Sequence, residues 1–272
     1  MSDRDTRTYA SIRVGPGGGP RDEVVAVEEP MEVRVNGSPF AVIMRTPGAD
    51  RDLAAGFLLA EDVVHGVEEI GLIEYCLDAD EEGRDNVINA TVTGDAIARL
   101  DERLAGRRQV MMTASCGLCG RRTIESLQSR VASVDGHWTV PASVIASMPP
   151  ALREAQPVFE TTGGLHAAGL FDLEGRLLLV AEDVGRHNAV DKITGRMLLE
   201  RRLPLSQAML QVSGRTSFEL VQKALLAGIP LIASVSAPSS LAIDLAREAG
   251  ITLCGFVRGG GFNVYAHPQR IG

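Results

Sequence analysis

Ala208-Met209-Leu210-Gln211-Val212, then Ser213-Gly214-Arg215-Thr216-Ser217, then Phe218-Glu219-Leu220-Val221-Gln222-Lys223-Ala224-Leu225-Leu226-Ala227, is the stretch on which the architecture turns. The short apolar run Ala208–Val212 predicts a strand, the small polar residues a turn, and Ser217–Ala227 a helix. The same succession continues downstream with strand Leu231–Val235, helix Ser239–Ala249 and strand Thr252–Val257. Upstream it is preceded by the apolar run Leu177–Ala181 and helix Ala189–Glu200. Strands alternating with helices of this length predict an α/β layer on a largely parallel sheet. Paired strands are expected just before it, at Val158–Thr162 and Leu165–Leu170.

The first hundred residues have a different character. Residues 1–22 are polar and end in Gly15–Pro20, a composition that predicts a mobile tail. Met31–Val35 and Phe40–Met44 alternate around Asn36-Gly37, a strong hairpin signal. Asp52–Val64 reads as a helix with Leu53, Phe57, Leu58 and Val64 on one face, and strands follow at Leu72–Leu77 and Val87–Val92 around an acidic turn, Asp78–Glu82. Beyond about residue 110 the apolar run Val110–Ala114 leads into a cysteine loop, and Ile124, Leu127 and Val131 predict a helix over Arg122–Val134. The chain thus divides into a tail (1–22), a small α+β unit (23–109) and an α/β domain (110–272), with no internal repeat.

With 272 residues, 45% of them hydrophobic and 23% charged, the chain has enough apolar material for one large or two smaller cores. A net charge of −8 argues against non-specific binding to nucleic acid, because phosphates would be repelled at long range. No stretch has the length of a membrane span and no signal peptide is visible, so no membrane partner is expected. Four cysteines, of which two are close in sequence, do not resemble a secreted disulfide framework and point to a reduced, cytoplasmic setting.

Those two cysteines lie in Ser115-Cys116-Gly117-Leu118-Cys119-Gly120, followed by Arg121 and Arg122. Two sulfurs at this spacing can form a disulfide, clamp half of a metal site, or hand sulfur between carriers. A strand, a glycine loop and a helix would put Cys116 and Cys119 near a helix N-terminus, where free N–H groups and the arginines favour a thiolate or persulfide. A zinc site would need two further ligands, and the remaining thiols, Cys76 and Cys254, each stand alone in apolar segments. The zinc-deaminase signature needs Pro before the first cysteine and an upstream His-x-Glu; residue 115 is Ser, and His65, the one upstream histidine, is followed by Gly66-Val67. A thioredoxin-like dithiol would open an early βαβ unit. The balance favours chemistry at sulfur without metal.

The second half also carries an unusual set of turns. Thr162, Gly163, Gly164 and His166 lie at the turn between two predicted strands, and Ser213, Gly214 and Arg215 follow another. Ser234–Ser240 leads into the next helix, and Phe256, Val257, Arg258, Gly259, Gly260 and Gly261 form the last turn. Helix capping would explain each singly. Four together, two with an arginine, suit an anionic ligand of nucleotide size in the crevice at the carboxyl ends of parallel strands. The densest segment is Glu182–Lys192, where Asp183, Arg186, His187 and Asn188 fall in the expected turn before a helix. Asn188 could be that helix's N-cap, with Asp191 and Lys192 on a solvated face. His187 is the first candidate for a general acid or base and His166 the second, with His65, His137 and His267 as surface or structural groups.

Ser115–Gly120, Glu182–Lys192 and Ser213–Ser217, with Asp52–Leu58, Thr162–His166 and Ser236–Ser240, resemble the formate dehydrogenase accessory sulfurtransferase family, FdhD, from about residue 25 to the end. The resemblance implies a three-layer α/β/α domain similar to the cytidine deaminases, with an added N-terminal unit. It implies a homodimer that takes sulfane sulfur from a cysteine desulfurase on Cys116, assisted by Cys119. The sulfur would pass to the Mo-bis(molybdopterin guanine dinucleotide) cofactor of a formate dehydrogenase. The nucleotide arms would then occupy the turns at Thr162–His166, Asp183–Asn188, Ser213–Ser217 and Phe256–Gly261, with Arg215 and Arg258 on phosphates and Asp183 accepting from a guanine edge.

Overall fold

The computed structural model describes residues 5–76, 85–110, 134 and 136–272. Where the sequence predicts a tail over residues 1–22, the structure has an antiparallel hairpin: β1 (Thr6–Arg13) pairs along its whole length with β2 (Gly19–Ala26). The glycines that made this segment look structureless form the turn, with Gly15 and Gly17 at positive φ (125° and 71°). The ladder forms without a buried face of its own, since Tyr9, Ile12 and Val14 stay exposed. It is fastened at its base by Val27 N–H donating to the Asp5 carbonyl (2.9 Å) and by an Arg7–Glu29 ion pair.

The predicted hairpin follows as β3 (Glu29–Val35) and β4 (Ser38–Arg45). Asn36 (φ 49°) and Gly37 (φ 79°) both take the left-handed conformation that a two-residue turn of this hand requires. Helix α1 (Asp50–Ala60) and strands β5 (Ile70–Tyr75) and β6 (Val87–Val92) complete a four-stranded sheet in the order β4-β3-β6-β5. Leu53, Leu58, Val63 and Val64 are buried against Met31, Val33 and Ile88. The acidic turn 78–82 and the end of the strand predicted to Leu77 lie outside the described residues. Helix α2 (Ala96–Val110) has no counterpart in the sequence reading: its arginines and acids conceal a narrow apolar edge, of which Ala96 and Leu100 are buried. It runs to Val110, where an apolar strand run was expected to begin; 111–114 and nearly all of the helix expected at 122–134 lie outside the described residues.

The larger layer contains α3 (Ala142–Glu154), α4 (Pro157–Thr162), β7 (His166–Phe171), β8 (Leu177–Asp183), α5 (Arg186–Leu199) and β9 (Met209–Val212). It continues through α6 (Phe218–Leu226), β10 (Leu231–Ser234), α7 (Ser240–Ala249), β11 (Thr252–Arg258) and β12 (Gly261–Ala266). Residues 158–162, expected as a strand, are helical. Pro157 suits the first turn, the N–H groups of Val158 and Phe159 donate to the Glu182 carboxylate (3.1 and 2.7 Å), and Gly163 (φ 65°) closes the end. These contacts override the β preference of Val-Phe-Glu-Thr-Thr. Helix α5 starts three residues earlier than expected, so Arg186, His187 and Asn188 occupy its first turn and Gly185, not Asn188, is the N-cap.

The six strands lie in the order β12-β11-β10-β9-β7-β8. Strands β9, β10 and β11 are parallel, β7 is antiparallel to both its neighbours, and β12 is antiparallel to β11. Helices cover both faces. Helices α5, α6 and α7 pack on Leu170, Leu210, Ile232 and Leu253, while Ile145, Met148 and Leu152 of α3 pack on Phe171, Met209 and Leu231. The two units meet where α1 crosses α5. A methyl group on Gly56 would overlap the Asp191 backbone, and one on Gly195 that of Asp52, so the helices approach to backbone contact.

Candidate functional site

The strand directions bring five turns to one edge of the six-stranded sheet. Strands β8 to β11 end there, apart from the reversed β7, which begins there with His166 paired to Asp183. Hydrogen bonds tie the turns together. Ser213 N–H donates to the Ala167 carbonyl (2.9 Å), and Ala167 N–H to Ser213 Oγ (2.8 Å). Ser239 N–H donates to the Thr216 carbonyl (2.9 Å) and Phe256 N–H to the Ser236 carbonyl (3.2 Å). This is the ligand crevice expected of an open α/β sheet.

Gly163, Gly164, His166 and Ser213 line a cavity of about 460 Å³ at this edge, together with Gln156 and Phe159. Thr162 stands beside it, its hydroxyl accepting from Gly164 N–H (3.2 Å). Burial, with Arg186 and His187 adding to it, lowers the His166 pKa below the usual 6.5, so the ring is neutral at neutral pH with one donor and one acceptor nitrogen. A methyl group at Gly214 would lie 3.3 Å from His166 Nδ1 and 3.7 Å from Arg186 Cδ, so these three residues sit against one another. Arg186 Nε and Thr216 Oγ1 are buried without a hydrogen-bond partner among the described residues. Such groups are rare in folded proteins and call for a partner such as water, an ion or a ligand.

Asp183 lies behind the cavity rather than on it. It is wholly buried, and it accepts from Thr46 N–H (3.3 Å), Gly185 N–H (2.8 Å) and Asn188 Nδ2 (2.8 Å) while pairing with Lys192 Nζ (2.7 Å). The expectation that it meets a guanine edge is therefore corrected: its oxygens are occupied and no surface is left. Asn188 also donates to the Met44 carbonyl (2.8 Å), Lys192 to the Thr46 carbonyl (3.0 Å), and Val184 N–H to Thr46 Oγ1 (3.2 Å). Asp191 and Lys192, one reading of which put them on a solvated face, are both buried. Together these bonds lock the end of β4 to the turn after β8.

His187 points elsewhere. It lines a second cavity of about 260 Å³ between α1 and the α5–α6 pair, with Asn188, Asp191, Glu219 and Lys223. Its Nε2 lies 3.1 Å from Ser217 Oγ and 2.8 Å from Glu219 Oε2, and this hydrogen bond holds the Glu219 carboxyl below its usual pKa. The structure thus separates the two histidine candidates into different cavities. Arg215 and Arg258 are exposed, and the Arg258 guanidinium lies 5.5 Å above the Phe256 ring. Val257 is buried in the core. At Gly259, Gly260 and Gly261 a methyl group would meet nothing within 4 Å, so this turn stands open. Cys116, Cys119, Arg121 and Arg122 lie outside the described residues.

Sequence reasoning passed over Thr46, Gln156 and Phe159. Thr46 and Gln156 show themselves only through burial, and Phe159 was placed on a strand.

These features define an α/β protein with an anion-suited crevice at the strand ends and an N-terminal unit locked to its floor. The sequence model of the FdhD/NarQ family matches residues 26–272, and the chain belongs to that family. It is 52% identical over 264 residues to a sulfur carrier protein FdhD of Anaeromyxobacter dehalogenans (strain 2CP-C), covering 94% of this chain and 91% of that one. It is 46% identical over 276 residues to the protein of that name from Nocardia farcinica (strain IFM 10152), covering 100% and 96%. A crystal structure of a formate dehydrogenase accessory protein from Desulfotalea psychrophila matches with a TM-score of 0.77 at 28% identity, over 98% of this chain and 99% of that one.

Proposed function

We propose that this protein is a sulfur carrier that takes persulfide sulfur from a cysteine desulfurase and delivers it to the Mo-bis(molybdopterin guanine dinucleotide) cofactor of a formate dehydrogenase. The names of its relatives support the carrier role, and that of its structural neighbour supports the link to formate dehydrogenase. The acceptor half rests on one observation: Arg186 Nε and Thr216 Oγ1, buried and without a partner among the described residues, at the edge where five turns converge. That donor set suits phosphate-bearing arms.

The Cys116 thiolate attacks the outer sulfur of the desulfurase persulfide; the S–S bond breaks, the desulfurase cysteine leaves as thiolate, and Cys116 carries the persulfide. The Cys119 thiolate then attacks the Cys116 sulfur. A Cys116–Cys119 disulfide forms and reduced sulfur leaves as hydrosulfide towards the metal of the acceptor. An external dithiol resets the pair. Arg121 or Arg122 stabilises the persulfide anion. His166, kept neutral, contributes a hydrogen bond without repelling Arg186, and the Asp183–Lys192 lock holds Arg186 in place. A cytidine-deaminase-like layering, a homodimer and a cytoplasmic setting belong to the same proposal. Among the described residues no helix is long and apolar enough to cross a membrane.

Replacing Cys116 by Ala is expected to abolish activation of formate dehydrogenase while leaving the unfolding curve unchanged. Full activation by this variant contradicts the proposal.

A further inference from the structure

The six-stranded sheet has two outer strands, and they are finished in opposite ways. β12 slips register against β11 twice, opens on Gly261 and carries Asn263 at mid-strand. Bulges and polar residues of this kind keep an edge from adding another strand. β8, on the other side, holds neither charge nor proline over Leu177-Leu178-Leu179-Val180-Ala181. Its one irregularity is at Leu178, and from Leu179 to Asp183 the pairing with β7 is unbroken.

β8 is also apolar on both faces. Leu179 and Ala181 lean on the core under α5, α6 and α7, and Leu177 and Val180 on the core under α3. A continuous apolar run is the signature of an interior strand, covered on both faces and paired on both sides. β9 and β10, which hold that position, are buried at every residue. All five apolar residues of β8 instead keep part of their surface, and Leu178 is 45% exposed. Among the described residues no strand pairs with the outer side of β8. A row of backbone groups and the rims of two cores are left open there.

We infer that a second copy of this chain pairs here, β8 against β8 in antiparallel sense across a two-fold axis, joining two six-stranded sheets into one. The charges at the ends of the strand select this occupant. Arg176, its side chain 75% exposed, precedes the apolar run, and Glu182 follows it. The segment Arg176–Glu182 is therefore complementary to itself when reversed: apolar residues meet apolar residues, and each Arg176 comes alongside the partner's Glu182. A parallel copy would set Arg176 beside Arg176. The ion pairs that Arg176 makes in its own turn, with Asp172 and Glu174, are exposed, so turning towards a second copy loses little. This pairing rests on the homodimer reading above and gives it a surface.

Sedimentation of the full chain over a range of concentrations tests the pairing. The parent is expected to be a dimer. Leu178→Lys places on the edge the charge that guards such strands elsewhere, and should raise the dimer dissociation constant roughly tenfold or more. Arg176→Glu, at an exposed position, sets like charges together and should raise it about threefold. It decides the matter if the lysine variant fails to fold. A dimer that neither substitution weakens overturns this surface and leaves the homodimer reading standing. A parent that stays monomeric overturns both. Sulfur loading of Cys116 by a desulfurase, measured on the same preparations, bears on the carrier reading alone.

Discussion

The turn after β8 and the turn after β11 lie at the same end of the six-stranded sheet with β7, β9 and β10 between them, and each carries an arginine, yet they are built in opposite ways. Around Arg186 the chain is fixed by a wholly buried carboxylate, a buried ammonium and hydrogen bonds from a different unit of the molecule. Around Arg258 there are three glycines with open space at each, two of them at positive φ. The first turn presents its cation in one orientation, at the cost of burying charge. The second leaves backbone amides uncovered and adaptable. The proposed acceptor, a large, many-armed anion, would meet one rigid wall and one that yields.

The sharpest way to break this contrast is Lys192→Met. It leaves Asp183 as a buried charge without a counter-charge, and a loss of about 3–5 kcal/mol is expected in urea unfolding. A curve that overlies the parent's removes the rigid wall from the account. At the yielding turn, Gly260→Ala forces a side chain into the left-handed region (φ 81°) and should lose only about 1–2 kcal/mol. A loss as large as that of the lysine variant contradicts the contrast.

The pH dependence tests the edge between them. The folded-state pKa of His166 lies below the unfolded value near 6.5, so the unfolded chain takes up the proton first. Its contribution to stability is full above about pH 6.5 and is lost as pH falls through the lower folded value. His166→Asn should flatten that part of the stability profile, and an unchanged slope there argues against a depressed imidazole. The smallest effect on folding is expected from Arg258→Ala, within about 0.5 kcal/mol, as for an exposed residue. Its effect should instead appear as weaker, less salt-dependent binding of GDP; unchanged binding removes the residue from the site.

The alternation of strands and helices was legible because each strand is a short apolar run and each helix starts after small polar residues. The Asn36-Gly37 hairpin was legible because its turn demands two left-handed residues. The helix at 157–162 was not, since the Glu182 carboxylate that caps it lies on another strand, 23 and 24 residues away from its two partners. The N-terminal hairpin was hidden by glycines that read as disorder and act as a turn. At the crevice, the sequence located the glycine and serine turns, but not which polar residues line the cavity. Asp183 and His187 come from the same motif as Arg186, yet one is buried behind the crevice and the other faces a different cavity. Side-chain direction in a helix's first turn follows from where the helix begins, and α5 begins three residues before its apolar pattern does.

Cys116 is proposed to carry sulfur. Incubating the protein with a cysteine desulfurase and cysteine, then locating added mass by peptide mass spectrometry, tests it directly. One additional sulfur atom on Cys116, absent when cysteine is omitted, is the predicted result. An unmodified Cys116 and Cys119 beside a persulfide-loaded desulfurase would contradict it.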